Sequence, residues 1–241
     1  MLSYRHSFHA GNHADVLKHI VLMLILENLS LKEKGFYYLD THSGVGRYRL
    51  SSNESEKTGE YKEGIGRLWD KTDLPAEVAR YVDLIKKLNY GGKELRYYAG
   101  SPMIAAQLLR PQDRALLTEL HPSDFPLLRN NFKEFKNITT KSENGFQQLK
   151  ATLPPKERRG LVLIDPPYDL SEADLTMMLT ALARSIDPWL APGAVVVVER
   201  SFRSPEPTWP KRLERFSDKR YGESVLWFAE PAPMPDDPGT G

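Results

Sequence analysis

Residues 160–168 read Gly-Leu-Val-Leu-Ile-Asp-Pro-Pro-Tyr, which sets four consecutive aliphatic side chains against a carboxylate and two prolines. Successive side chains of a strand point to opposite faces, so a run that is apolar at every position needs cover on both. Parallel sheets packed between helical layers provide that cover. Two prolines cannot continue a hydrogen-bonded ladder, so the strand must end in a stiff turn with bare carbonyls. The rest of the chain repeats this pattern. Strand-like segments at 36–40, 95–98, 115–119, 138–141 and 194–199 alternate with helix-like segments at 12–34, 102–110, 124–134, 145–152 and 172–186. Asn12 reads as the N-cap of the first helix and Gly35 as its stop. Residues 49–94 are polar and mostly helical, with helices expected at 59–69 and 75–88. Two edge strands, 212–221 and 223–228, meet at Gly222, and the Pro/Asp/Gly-rich residues 230–241 are expected to be disordered. The fold class is therefore α/β with a mainly parallel, two-sided sheet.

Composition narrows the chemistry. With no cysteine among 241 residues, disulfide scaffolds, thiolate metal sites and cysteine nucleophiles are excluded. The longest apolar run, residues 20–26, is far short of the ~20 needed to cross a bilayer, so no membrane is expected. No signal-peptide pattern precedes it, and a cytoplasmic monomer is the default expectation. A net charge of +1 gives no bulk attraction to nucleic acid, so any such binding needs a local patch. His6, His9, His13 and His19 supply imidazoles, but Gly11-Asn12 breaks their helical register and no carboxylate pair follows at ligand spacing. No metal is expected.

Ligands of such sheets bind at the carboxyl ends of the strands. The first end carries Asp40-Thr-His-Ser-Gly-Val-Gly46, glycines that let backbone turn tightly against a ligand or simply make a turn. It matches neither the dinucleotide fingerprint nor a P-loop. Glu119, after the strand at 115–119, can accept from both hydroxyls of a ribose, although a lone Glu there is more often a solvated loop residue and its weight comes from its neighbours. Its separation from Asp40 greatly exceeds the usual ~20 residues, and the polar segment 49–94 accounts for the excess as an insertion. Ser142-Glu-Asn-Gly145 could hydrogen-bond a purine edge or cap a helix. The most specific set is Asp165-Pro166-Pro167-Tyr168. A carboxylate and a carbonyl accepting the two N–H bonds of an exocyclic amine return electron density to its nitrogen, while Tyr168 stacks on the base.

Asp-Pro-Pro-Tyr after a strand resembles the signature of methyltransferases that use S-adenosyl-L-methionine on amino nitrogens. Over residues 1–170 the chain resembles more closely the RlmJ family of 23S ribosomal RNA adenine-N6 methyltransferases. The carrying motifs are 1–19 (Met-Leu-Ser-Tyr-Arg-His through Val-Leu-Lys-His), 39–48, Tyr98-Ala-Gly-Ser-Pro102, Thr118-Glu-Leu-His-Pro-Ser-Asp124 and Asp165–Tyr168. The resemblance implies a Rossmann-like class I fold with a seven-stranded sheet. His19, His42, Ser101, Glu119, Asn144 and Gly145 would then line the cofactor site. Asn144 stands where the family usually has Asp, keeping an acceptor without the charge. Asp165 would engage the adenine amine, and Tyr4 and Lys18 would place the RNA. Residues 1–48 (with a tail at 1–11) and 95–229 would form the methyltransferase domain, and 49–94 a small RNA-contacting insertion. Residues 171–241 resemble instead the C-terminus of RsmD-type 16S ribosomal RNA guanine-N2 methyltransferases, at 191–201, 208–210 and 219–224, as if two related chains were joined at the shared motif. Three functions follow: adenine N6 methylation in 23S RNA, which the N-terminal motifs favour; guanine N2 methylation in 16S RNA; or an inactive hybrid that binds cofactor or RNA.

Overall fold

The structure is a computed structural model describing residues 6–90, 93–166, 171–183, 189–191 and 193–232. The chain divides into two compact units, Met1–Pro166 and Pro167–Gly241.

In the first unit, helix α1 (His13–Ser30) starts where Asn12 accepts the Asp15 amide on its side chain, an N-cap that satisfies one of the helix's orphan donors. Strand β1 (Tyr37–Asp40) is buried along its whole length. After it come β2 (Arg47–Arg49), α2 (Asn53–Thr58), two short 3-10 turns and α3 (Ala76–Lys87). Then follow β3 (Tyr97–Ala99), α4 (Ser101–Leu108), β4 (Arg114–Thr118), α5 (Phe125–Phe132), β5 (Ile138–Lys141), α6 (Gly145–Thr152) and β6 (Gly160–Leu163). β2 was not expected from sequence; it pairs antiparallel with β3 in a two-stranded ribbon. Residues 59–69, expected as one helix, form only the turns Glu60–Lys62 and Ile65–Arg67. Gly64 lies so close to the carbonyl of Gly11 that no side chain fits there.

Four strands form one sheet in the order β5-β4-β1-β6, and each neighbouring pair is parallel. α1 packs against α3, α4 and β6, around a core that includes Met23, Leu26, Phe36, Tyr38, Ile85 and Ile104. The expected α/β, Rossmann-like architecture is present. Its strand order reverses beside β1, so the crevice at the topological switch point lies between the ends of β1 and β6. There the Thr41 amide and hydroxyl both donate to the Leu163 carbonyl, each at 3.1 Å.

The second unit holds α7 (Glu172–Leu182), started by a capping box between Ser171 and Asp174, and an antiparallel sheet. Its strands β7 (Val196–Ser201), β8 (Leu213–Tyr221) and β9 (Ser224–Pro231) lie in the order β7-β9-β8. Leu175, Leu179, Val196, Leu213 and Ala229 make its core. The hairpin at Gly222 is as expected, but β9 is the central strand rather than an edge. Its Val225, Leu226 and Ala229 are buried, whereas β8 is exposed at nearly every position. β9 also runs to Pro231, past residue 229 where order was expected to end. A proline is tolerated at a strand's last residue, where its missing N–H costs no inner ladder bond. No helix among the described residues is long and apolar enough to cross a membrane.

Candidate active site

Parallel strands put all four carboxyl ends on one edge, which gathers Asp40, Glu119, Ser142–Gly145 and Asp165 from distant parts of the sequence. Arg158 and Arg159 precede β6 and so lie at the opposite edge. Arg159 is committed there to the carbonyls of Leu29 and Lys34, at 2.7 and 2.6 Å.

Asp40 is fully buried. It accepts from the Tyr38 hydroxyl and Ser101 Oγ, both at 2.8 Å, and from the His42 amide at 3.3 Å. Burial outweighs these bonds and pushes its pKa up to about 6. The loop beyond it turns through Gly44 and Gly46 at φ +57 and +74, the left-handed region that glycine enters without strain. The Gly44 amide donates to Glu119 Oε2 at 2.8 Å and the His121 amide to Oε1 at 2.7 Å. Burial raises the Glu119 carboxyl above its ordinary range. A carboxylate has about four acceptor positions, so Glu119 retains capacity on both oxygens for a vicinal diol.

Asn144 caps α6, its side-chain oxygen accepting from the Phe146 and Gln147 amides. That oxygen is spent on the helix, and the side chain's remaining polar group is a donor, which suits a ring nitrogen rather than an amine. Gly145 is pressed against the 40–46 loop, and an added Cβ would stand 2.1 Å from the Thr41 carbonyl oxygen. His42 packs edge-on to Phe146, and burial lowers its pKa to about 4.

Asp165 follows β6, and its Oδ2 accepts from the Lys18 ammonium at 2.6 Å. Lys18 also lies 3.6 Å from Asp15 Oδ1, so it bridges two carboxylates. Asp15 is buried beneath, taking the Gly11 amide and the His6 imidazole, each at 2.9 Å. Burial alone would raise Asp15, but His6, His19 and Lys18 override it and hold its carboxyl far below the usual range. His6 is raised in turn: burial opposes its charge and Asp15 wins. His19, one residue beyond Lys18, is buried with Nδ1 sharing a hydrogen with the Tyr98 hydroxyl at 2.7 Å. Burial lowers its pKa to about 4, so it is neutral near pH 7.

The Asp165 charge acts on His6, His19, Tyr38, Asp40 and His42 alike, which makes one electrostatic neighbourhood of α1, the 40–46 loop and the end of β6. Of the residues singled out by sequence, Lys18, His19, His42, Ser101, Glu119, Asn144, Gly145, Asp165 and Pro166 stand along this edge. Tyr4, Pro167 and Tyr168 lie outside the described residues. Asp15, His6 and Asp40 were not chosen as site residues; the Asn12–Asp15 cap spacing was the available signal for Asp15. His9 is bonded to Glu60 at 2.9 Å, whereas His6 bonds Asp15 and His19 bonds Tyr98.

These shifts set a pH dependence. Unfolded His19 and His42 take up protons below about 6.5, while the folded forms do so only near 4. Asp40 acts oppositely, holding a proton in the fold up to about pH 6. Two protons gained against one lost leave about one net proton, and the raised Glu119 carboxyl offsets part of it, so stability should fall on acidification from 6 towards 4 by no more than about 1.4 kcal/mol per pH unit. Denaturant unfolding at pH 6, 5 and 4.5 reads this, and a flat or rising curve would show that the imidazoles are hydrated.

A family model described as "Ribosomal RNA large subunit methyltransferase D, RlmJ" matches residues 33–198. The match runs past residue 170, where the resemblance was expected to change family. The chain is 82% identical over 182 residues to Ribosomal RNA large subunit methyltransferase J of Haemophilus influenzae, covering 76% of this chain and 64% of that protein. It is 58% identical over 183 residues to the protein of the same name in Escherichia coli, covering 76% and 65%. The chain thus spans slightly under two thirds of the length of these curated relatives. A crystal structure of a Legionella pneumophila protein is similar in fold, with a TM-score of 0.75 at 31% identity over 94% of this chain and 88% of that one.

Proposed function

The chain belongs to the RlmJ family of ribosomal RNA large subunit methyltransferases, and from that premise we propose that it methylates the N6 nitrogen of a specific adenine in 23S ribosomal RNA, using S-adenosyl-L-methionine. The observation that carries this reading is the placing of Asp165 and the 40–46 loop, held by Glu119, on either side of one switch-point crevice.

The donor groups suit the cofactor. Glu119 keeps acceptor capacity for the ribose hydroxyls, and Ser101, donating to Asp40, keeps lone pairs for an ammonium. The absence of a side chain at Gly145 leaves backbone against the 40–46 loop. His42 and the donor end of Asn144 suit the carboxylate and purine ends. When bound, S-adenosyl-L-methionine supplies an electrophilic methyl group on a sulfonium. Asp165 Oδ1, with Oδ2 held by Lys18, accepts one amine N–H, and a carbonyl of the proline turn accepts the other. Together they orient the nitrogen lone pair along the line of attack. Lys18 fixes the carboxylate's rotamer, and Tyr4 and Tyr168 complete the reading by placing and stacking the base. The base reaches such a pocket unpaired or flipped. On this reading residues 49–94 are a helical insertion in a methyltransferase domain of 1–48 and 95–229.

Radiolabelled methyl transfer to unmodified large- and small-subunit ribosomal RNA, followed by nucleoside analysis, tests the proposal. N6-methyladenosine in large-subunit RNA is expected. N2-methylguanosine in small-subunit RNA, or cofactor binding without transfer to either RNA, overturns it.

A further inference from the structure

A depression of about 280 Å³ opens between the β2–β3 ribbon and α5, lined by Val45, Arg47, Arg49, Tyr97, Leu127 and Asn131. Its floor follows from strand alternation. Tyr48 and Tyr98, paired across the ribbon, are buried on the core side, so Arg47, Arg49 and Tyr97 share the outer face. Arg49 is directly opposite Tyr97, and the Arg47 guanidinium lies 4.0 Å from the Tyr97 ring centroid. The Asn131 side-chain amide donates to the Val45 carbonyl at 2.8 Å and fixes α5 as the other wall.

These two arginines lack, among the described residues, the carboxylate partner that five other arginines of their unit have. Arg67, Arg80, Arg96, Arg110 and Arg114 each pair with a carboxylate. Among the described residues no carboxylate pairs with Arg47 or Arg49. Arg49 reaches only the Ser51 hydroxyl, at 2.9 Å, and the buried Nε of Arg47 has no hydrogen-bond partner. The terminal nitrogens of both guanidiniums have no carboxylate to neutralise them, and an incoming anion would supply that charge. Stacking on Tyr97 holds the Arg47 plane ready, which limits the entropy lost on binding.

We propose that this groove binds the phosphodiester backbone of the RNA beside the target nucleotide, with Arg47 and Arg49 as phosphate ligands. The inference rests on the RNA-methylating function proposed above. Guanidinium forks match phosphate oxygens bidentately, and the outer face of the stacked Arg47 offers a platform to a neighbouring base. Location supports it: Val45 is the residue after Gly44, whose amide Glu119 holds, so the groove begins where the cofactor loop ends.

The test is salt-dependent binding of labelled, unmodified large-subunit ribosomal RNA to the full chain, with cofactor affinity and melting temperature measured alongside. Arg47→Gln/Arg49→Gln should weaken RNA binding by about tenfold near 0.1 M salt. It should also reduce the slope of log K against log[salt] by about 1 to 2, with cofactor affinity unchanged. Arg47→Lys/Arg49→Lys should restore most of the slope, because charge rather than shape sets it. Leu127→Lys, at a half-exposed wall position, should tighten binding and steepen the slope. If the parent binds RNA and the Gln pair matches it in affinity and slope, the groove is not a phosphate site. If the parent itself binds no RNA, the proposed function falls, and this inference with it.

Discussion

Asp165→Ala is expected to lower the rate of methyl transfer by about 10³-fold, within the range for removing one positioned acceptor or electrostatic group from a transition state. Cofactor affinity should change by less than about threefold, because the residues suited to the cofactor's ribose and ammonium are Glu119 and Ser101. Stability should change little. The Lys18–Asp165 pair is 2.6 Å long, but the Asp165 side chain is 40% exposed, and such pairs contribute about 0–1 kcal/mol. Asp165→Asn, which keeps an oxygen acceptor and loses the charge, should fall between the parent and the alanine variant. Single-turnover transfer with saturating cofactor separates these outcomes. Retention of the rate within tenfold, or loss of cofactor binding with the fold intact, would assign Asp165 a different role.

Gly145→Ala carries the second large effect, and it acts through the backbone. The new methyl would sit 2.1 Å from the Thr41 carbonyl oxygen and 2.7 Å from Thr41 Cβ. Thr41 cannot move freely. It donates twice to Leu163, and its carbonyl accepts the Thr118 hydroxyl at 2.9 Å. Relief therefore has to shift the 40–46 loop or the start of α6, the two walls suited to the cofactor. Overpacking of this kind costs about 1–3 kcal/mol, which for a chain of this size lowers the melting temperature by about 2–4 °C per kcal/mol. Cofactor affinity should drop at least tenfold. Gly193→Ala is the control, since nothing lies within 4 Å of its Cβ and only its φ of +76 is strained. That variant should leave cofactor binding untouched. A Gly145→Ala protein that binds cofactor as the parent does would remove Gly145 from the site.

The parallel strands were legible as short apolar runs ended by turns, and most helices by the helical spacing of their apolar residues. β5 and α6 fall at the expected residues 138–141 and 145–152. β2 was not legible: Arg-Tyr-Arg offers one apolar side chain in three, and pairing with β3 supplies the rest. The segment 59–69 has helical composition, but the close approach of Gly64 to Gly11 holds it in short turns. No local pattern reveals such a contact. At the site, strand-end position identified Glu119 and Asp165. What each side chain does with its remaining valences depended on neighbours far away in sequence. Asn144 illustrates this, its acceptor already taken by α6, and Asp15 more so, a carboxylate 1% exposed under a lysine.

The position of β1 in the middle of its sheet has a kinetic consequence. Its neighbours are β4, where Tyr37 faces Arg114, and β6, where Tyr37 faces Gly160. During synthesis at about 5–20 residues per second, this all-buried strand emerges early and waits for both partners. Closing such long loops before any contact is gained slows the search for the native pairing. Until residue 163 has left the ribosome, the edge of β1 that pairs with β6 has only transient partners to shield it from other nascent chains.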